Sequence, residues 1–190
     1  MTKSGRRPGP TETRAHILAA ARAQFAAHGY QGATIRAIAA AAGVTPALVH
    51  HFFGSKDRVF SAALDLPINP DLIVATLLEG PRDQIPERLV RLFLGLWSAP
   101  ESSKPLHALI RSVSTSEAAA MMFRQFLERA MLTKITQALG VPHLNATAAA
   151  SQLVGMALVR YVVKVEPLAS ATDEEVVTLL SPVLRLYLLP

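Results

Sequence analysis

The stretch Thr34-Ile35-Arg36-Ala37-Ile38-Ala39-Ala40-Ala41-Ala42-Gly43-Val44-Thr45-Pro46-Ala47-Leu48-Val49-His50-His51-Phe52-Phe53-Gly54-Ser55-Lys56 decides the fold. Thr34 is a helix N-cap, and the short helix it opens turns Ile35, Ile38 and Ala39 inward before Gly43 stops it. Thr45 caps again at once. Pro46 fits a first helical turn, where its missing N–H costs nothing. This next helix reaches about His51 or Phe52, and Ser55 caps another through Leu64, halted near Pro67. Two short helices joined by a tight glycine turn make a helix-turn-helix pattern, with Ile38, Ala39, Val44, Val49 and Phe53 as its small core.

The same helical period runs outward in both directions. Upstream, a helix begins near Thr11 or Thr13, carries Ile17, Leu18, Ala21 and Phe25 on one face, and stops at Gly29. Downstream, longer helices are expected near residues 70–79, 84–98, 104–114, 117–139, 144–165 and 173–188. Their breaks are Gly80-Pro81, Ala99-Pro100, Gly140-Val141-Pro142 and Pro167. Thr172 with Glu175 forms a capping box for the last helix, and Pro182 is expected to kink it. No alternating β-branched run is long enough for a sheet, and there are no internal repeats. The fold class is all-α: an N-terminal three-helix helix-turn-helix domain over 11–65, preceded by a flexible basic arm over 1–10, and a helical domain over 66–190.

Composition narrows the function. Hydrophobic residues make up 51% and charged residues 17% of the 190, which excludes a disordered chain and leaves apolar surface for a partner or ligand. With no cysteine, disulfides, thiolate zinc sites and thiol catalysis are excluded. The longest uncharged run, Ile135 to Val159, contains Gly140, Pro142, His143, Asn145 and Gln152, which argues against a membrane span. The first residues lack the apolar stretch of a secretory signal, so a soluble cytoplasmic protein is expected. Net charge is +5, and it is uneven: residues 1–60 hold eight Lys/Arg against Glu12 and Asp57, a net +6, while the remainder is −1. A basic head on a near-neutral body suggests nucleic-acid binding.

The head carries suitable chemistry. Thr45, Pro46, Ala47, Leu48 and His50 fall on the outer face of the third helix, where small apolar groups can touch thymine methyls and His50 can bond a base edge or a phosphate. Arg36 is the one long cation inside the motif and can pair with guanine O6 and N7. Arg6 and Arg7 in the arm suit either minor-groove insertion or a sequence-independent gain in affinity. The six histidines show no metal-binding spacing, and neither a phosphate loop nor a nucleophile elbow is present. Neither an enzyme, a cofactor nor a metal is expected.

The ordered motifs Ile17-Leu18-x-x-Ala21, Phe25-x-x-x-Gly29, Thr34-x-x-x-Ile38-Ala39, Ala42-Gly43-Val44-Thr45, Phe53-x-x-Lys56 and Val59 resemble the DNA-binding domain of the tetracycline-repressor (TetR) family of transcriptional regulators. The resemblance covers about a quarter of the chain. It implies that Thr34 contacts a phosphate, Arg36 a base, Thr45 to Leu48 the groove, and that Lys56 clamps a phosphate. His50-His51-Phe52 departs from the family's usual tyrosine and histidine pattern. There His50 and His51 either face DNA or one packs beside Phe52.

The resemblance further implies a body that encloses an effector pocket and pairs two protomers through the last two helices. Trp97, His107, Arg111, Met122, Phe126 and Tyr161 are candidate pocket residues, with His107 and Arg111 one turn apart as an inward polar pair; ordinary core packing accounts for the same apolar stripes. Ala148, Ser151, Gly155 and Val159 form one pairing face, and Val176, Leu179, Leu180, Val183, Leu184 and Tyr187 another. The expected function is a homodimeric repressor released from a pseudo-palindromic double-stranded DNA operator by a small, largely apolar effector that swings the heads out of register through the fourth helix. An activator, or a helical ligand-binding protein with only non-specific DNA docking, is the alternative.

Overall fold

The computed structural model describes residues 10–66 and 68–189, all of whose regular elements are helices. Arg6 and Arg7 lie outside the described residues. The chain divides into two compact units between Ile68 and Asn69.

The N-terminal unit holds α1 (Pro10–Gly32), α2 (Ile35–Ala41), α3 (Pro46–Phe53) and α4 (Lys56–Ala63). Helical geometry breaks inside α1 at Gly29, whose φ of 66° and ψ of 178° lie in a region open essentially to glycine alone. The bend presents Tyr30 to α4. Gly43, at φ 66°, supplies the left-handed residue of the turn between α2 and α3. Ile17, Ala21, Phe25, Ile38, Ala39, Val49, Phe53, Val59 and Phe60 form the core, with the Phe25 and Phe60 ring centroids 4.4 Å apart. Arg22 ties α1 to the end of α4 by donating to the Ala63 carbonyl at 2.8 Å and the Asp65 carboxylate at 2.6 Å.

The C-terminal unit comprises α5 (Pro70–Leu78), α6 (Ile85–Ser98), α7 (Pro100–Thr115), α8 (Glu117–Gln125), α9 (Thr133–Leu139), α10 (His143–Ala157) and α11 (Asp173–Leu188). A π-helical segment, Phe126–Leu132, joins α8 to α9, and another, Leu158–Val163, extends α10. The uncharged run Ile135–Val159 is broken by left-handed Gly140 and by Pro142. The stretch His143–Val163 is nonetheless long and apolar enough to cross a membrane by length and composition. The sequence expectation for α7 starts four residues late: Pro100 occupies its first turn, and Ser102 and Ser103 donate their N–H groups to the Ala99 carbonyl. The body core gathers Leu77, Val90, Leu94, Leu139, Leu153, Val176, Leu184 and Leu188. Arg91 of α6 bridges Glu174 of α11 at 2.5 Å and Glu87, one turn back on its own helix, at 2.9 Å.

Pro182 lies inside α11, where it removes one ladder hydrogen bond without dividing the helix. The α11 capping box is complete. Thr172 Oγ1 accepts from Glu175 N, and the Glu175 carboxylate accepts from Thr172 N at 2.7 Å. The Thr172 backbone and hydroxyl donors hold the Glu175 pKa below its ordinary 4.5, and hydrogen bonds from Arg91 lower that of Glu174. Folded-state values below the unfolded ones mean a contribution fully present above pH 4.5 and lost as pH falls through the lowered values. Thermal melts are therefore expected to be flat above about pH 5 and to weaken below it. Glu175→Gln should flatten part of that acid limb, and an unchanged limb would contradict the assignment.

Candidate nucleic-acid interface and effector region

Each helix around the turn is started by a hydroxyl cap. Thr34 Oγ1 accepts from Ala37 N at 3.0 Å, Thr45 Oγ1 from Leu48 N at 3.3 Å, and Ser55 Oγ from Arg58 N at 3.3 Å. A capping hydroxyl uses its lone pair, so its O–H remains able to donate outward to a phosphate oxygen. Thr34, Arg36, Thr45, Pro46, Ala47, His50 and His51 are exposed; Leu48 and Lys56 are half-buried. The first turn of α3 thus offers a small, low-relief surface, with Arg36 exposed on α2.

His50 Nδ1 lies 2.9 Å from the Gly54 carbonyl. In the neutral ring this fixes Nδ1 as donor and leaves Nε2 as an acceptor. His51 stays exposed while its ring meets Phe52 edge-on at 5.5 Å. At α4's start, Lys56 Nζ sits 4.5 Å from the Tyr30 ring centroid, and the Tyr30 hydroxyl donates to the Asp57 carboxylate. Burial lowers the Lys56 pKa while the Asp57 charge opposes that shift. Tyr30 was not among the sequence candidates. Its only signal was position, directly after the glycine that bends α1. The ring limits where the ammonium can go, and a cation so placed loses less freedom on meeting a phosphate.

Replacing Arg36 by Ala is expected to weaken operator binding by about 1–3 kcal/mol and to relax preference at one base position, read by anisotropy on duplexes varied one base pair at a time. Uniform weakening on every duplex would make Arg36 a phosphate contact instead.

In the C-terminal unit, Trp97 on α6 stacks on Tyr161 with centroids 5.1 Å apart and rings parallel to 1°. His107 on α7 meets the same indole edge-on at 5.2 Å. Its Nδ1 faces the Ser103 carbonyl at 2.8 Å and its Nε2 the Tyr161 carbonyl at 3.3 Å. Three of the six pocket candidates therefore meet. Phe126 is buried in its π-helical segment and Met122 is half-buried. Arg111 departs from expectation: it is exposed and does not join His107. The inner stripe of α7 is Ser102, Leu106 and Leu109, and at about 100° per residue Arg111 falls on the far side from Leu109. Arg160, missed in the sequence, places its guanidinium 5.3 Å from the Tyr161 centroid. A lone cation following a long uncharged run was the available signal.

The expected pairing face also needs correction. Val176 and Leu184 are buried in their own unit's core. Leu179 is exposed at 63% as expected, and Leu144 at 78% and Leu186 at 72% are exposed apolar side chains outside the expected set, with Leu158 and Val162 also exposed.

Two family models match this chain. Residues 17–63 fit "Bacterial regulatory proteins, tetR family", and residues 83–188 fit "Tetracyclin repressor-like, C-terminal domain". The HTH-type transcriptional repressor AcnR of Corynebacterium glutamicum is 45% identical over 53 residues, 28% of each chain. The HTH-type transcriptional regulatory protein RaaS of Mycobacterium tuberculosis is 35% identical over 118 residues, 61% of this chain and 52% of that one. The match thus spans just over a quarter of AcnR and about half of RaaS. A TetR-family regulator of Streptomyces coelicolor A3 with a solved structure is 36% identical, covering 98% of this chain and 100% of that chain, with a TM-score of 0.48. With the second model alone covering more than half of its residues, the chain belongs to the TetR family of bacterial regulatory proteins.

Proposed function

We propose that this protein is a sequence-specific DNA-binding transcriptional regulator, acting in the cytoplasm as a homodimeric repressor that a small effector releases from its operator. One observation carries the reading: the exposed, low-relief first turn of α3 is flanked by outward-capable hydroxyls at Thr34 and Thr45, by exposed Arg36, and by Lys56 held over Tyr30. Thr34, Arg36, Thr45, Pro46, Ala47, Leu48, His50, His51 and Lys56 are the proposed DNA contacts, together with Arg6 and Arg7. The N-terminal excess of positive charge supports phosphate binding, and the repressor named among its relatives supports the direction of control.

Dimerisation is proposed through the exposed apolar residues of α10 and α11, principally Leu144, Leu179 and Leu186. Two-fold pairing matches a pseudo-palindrome with half-sites about 34–36 Å apart. The effector region is proposed around Trp97, His107 and Tyr161. An effector that binds the DNA-incompetent conformer better by about 1–3 kcal/mol is sufficient for release.

Fluorescence anisotropy on the duplex upstream of its own reading frame, beside a scrambled duplex at physiological salt, tests the reading. A preference of about a thousandfold or more is expected. Equal, salt-sensitive binding to both would count against this operator.

A further inference from the structure

Three buried side-chain polar atoms have no hydrogen-bond partner among the described residues: Trp97 Nε1, Arg160 Nε and Tyr161 Oη. All three belong to one contact group, since the Tyr161 ring carries Trp97 stacked at 5.1 Å and the Arg160 guanidinium at 5.3 Å. Trp97 is 6% and Arg160 8% exposed. A buried polar group left unsatisfied is destabilising, and native chains carry few. Three on touching side chains are a built-in deficit.

The deficit has a sign. The indole N–H and the Nε–H can only donate, and the phenol can donate, so what is missing is an acceptor. The Leu168 carbonyl and the Asp173 carboxylate take the other two Arg160 nitrogens, at 2.7 and 3.1 Å, and leave Nε without a partner. The two ring nitrogens of His107 are directed at the Ser103 and Tyr161 backbone carbonyls, at 2.8 and 3.3 Å. The surroundings are apolar, with Phe93 6.4 Å from Trp97 between ring centroids. Arg160 and Tyr161 both sit in the π-helical segment Leu158–Val163, a backbone form frequent at functional sites.

We infer that the C-terminal unit binds an apolar carboxylate at the Trp97–Arg160–Tyr161 cluster, the ligand's two oxygens accepting the hydrogen bonds these side chains lack. This rests on reading the body as an effector domain and names the effector's chemical class. The three atoms are closed off from solvent, so a ligand reaches them only when the cluster opens. A cationic amine brings donors to a site that already has donors in excess, and the site rejects it.

Trp97 is the sole tryptophan, so its emission reports on the site directly. The full chain, without DNA, is titrated with benzoate, octanoate and benzylammonium. At least one carboxylate should give a saturable change in emission and benzylammonium none; which carboxylate binds distinguishes an aromatic from an aliphatic body. Tyr161→Phe should weaken that binding at least tenfold while leaving the melting temperature unchanged or raised, because the hydroxyl it removes has no partner. Calorimetry on Trp97→Phe should show a comparable loss. No response to either carboxylate, an equal response to benzylammonium, or undiminished affinity in both variants overturns the inference. DNA binding is measured on the same sample. A chain that prefers one duplex but ignores carboxylates fails this inference alone, and one that binds a carboxylate but prefers no duplex fails only the regulator reading.

Discussion

Phe60→Ala is expected to destabilise the N-terminal unit by about 3–5 kcal/mol. Phe60 is fully buried, and its ring meets Phe25 at 4.4 Å and Tyr30 at 5.1 Å. Truncation removes the transfer energy of a whole ring and leaves a cavity against two aromatic neighbours. It also removes the surface that sets Tyr30, and Tyr30 in turn carries Lys56. Small domains hold only about 5–15 kcal/mol in all, so much of this unit should be unfolded at physiological temperature and DNA binding lost. Urea denaturation followed by circular dichroism measures the loss, while the emission of Trp97 reports separately on the C-terminal unit. A shift below about 1 kcal/mol would show that Phe60 is not the keystone assigned here.

Ala47→Glu should have the largest effect on binding with the least on the fold. Ala47 is exposed in the first turn of α3, so the substitution creates no cavity and no clash inside the unit. A carboxylate near the start of a helix is even mildly favourable to that helix. Brought against phosphates and base edges, the same carboxylate is repelled and must be desolvated. Affinity should fall by a hundredfold or more, consistent with like-charge juxtaposition costing several kcal/mol. Anisotropy beside a thermal melt separates the two: unchanged melting with retained affinity would remove α3 from the interface.

What the sequence disclosed follows from how local the chemistry is. The caps at Thr34, Thr45, Ser55 and Thr172 were legible because a hydroxyl and a backbone N–H three residues on need nothing beyond their own turn. The exposure of the α3 first turn followed from the same local frame. The π-helical segments at Phe126–Leu132 and Leu158–Val163 were not legible, since no local signal distinguishes i→i+5 bonding from i→i+4. Nor could periodicity assign α11's inner face. Val176, Leu179, Leu184 and Leu186 spread over a wide apolar arc, and only packing puts Val176 and Leu184 in the core while leaving Leu179 and Leu186 outside. His107 and Arg111 illustrate the remaining error: one helical turn apart in spacing, they are still 40° apart in direction, and the half-buried His107 reaches Trp97 while Arg111 stays in solvent.

The most direct test of the central claim, that α3 reads a particular duplex as one of a symmetric pair, is selection of bound fragments from a random DNA library at physiological salt. The account predicts enrichment of one pseudo-palindrome whose half-sites are centred about one helical turn, or a whole number of turns, apart. Enrichment without any shared motif, or of a single unpaired half-site, would contradict it.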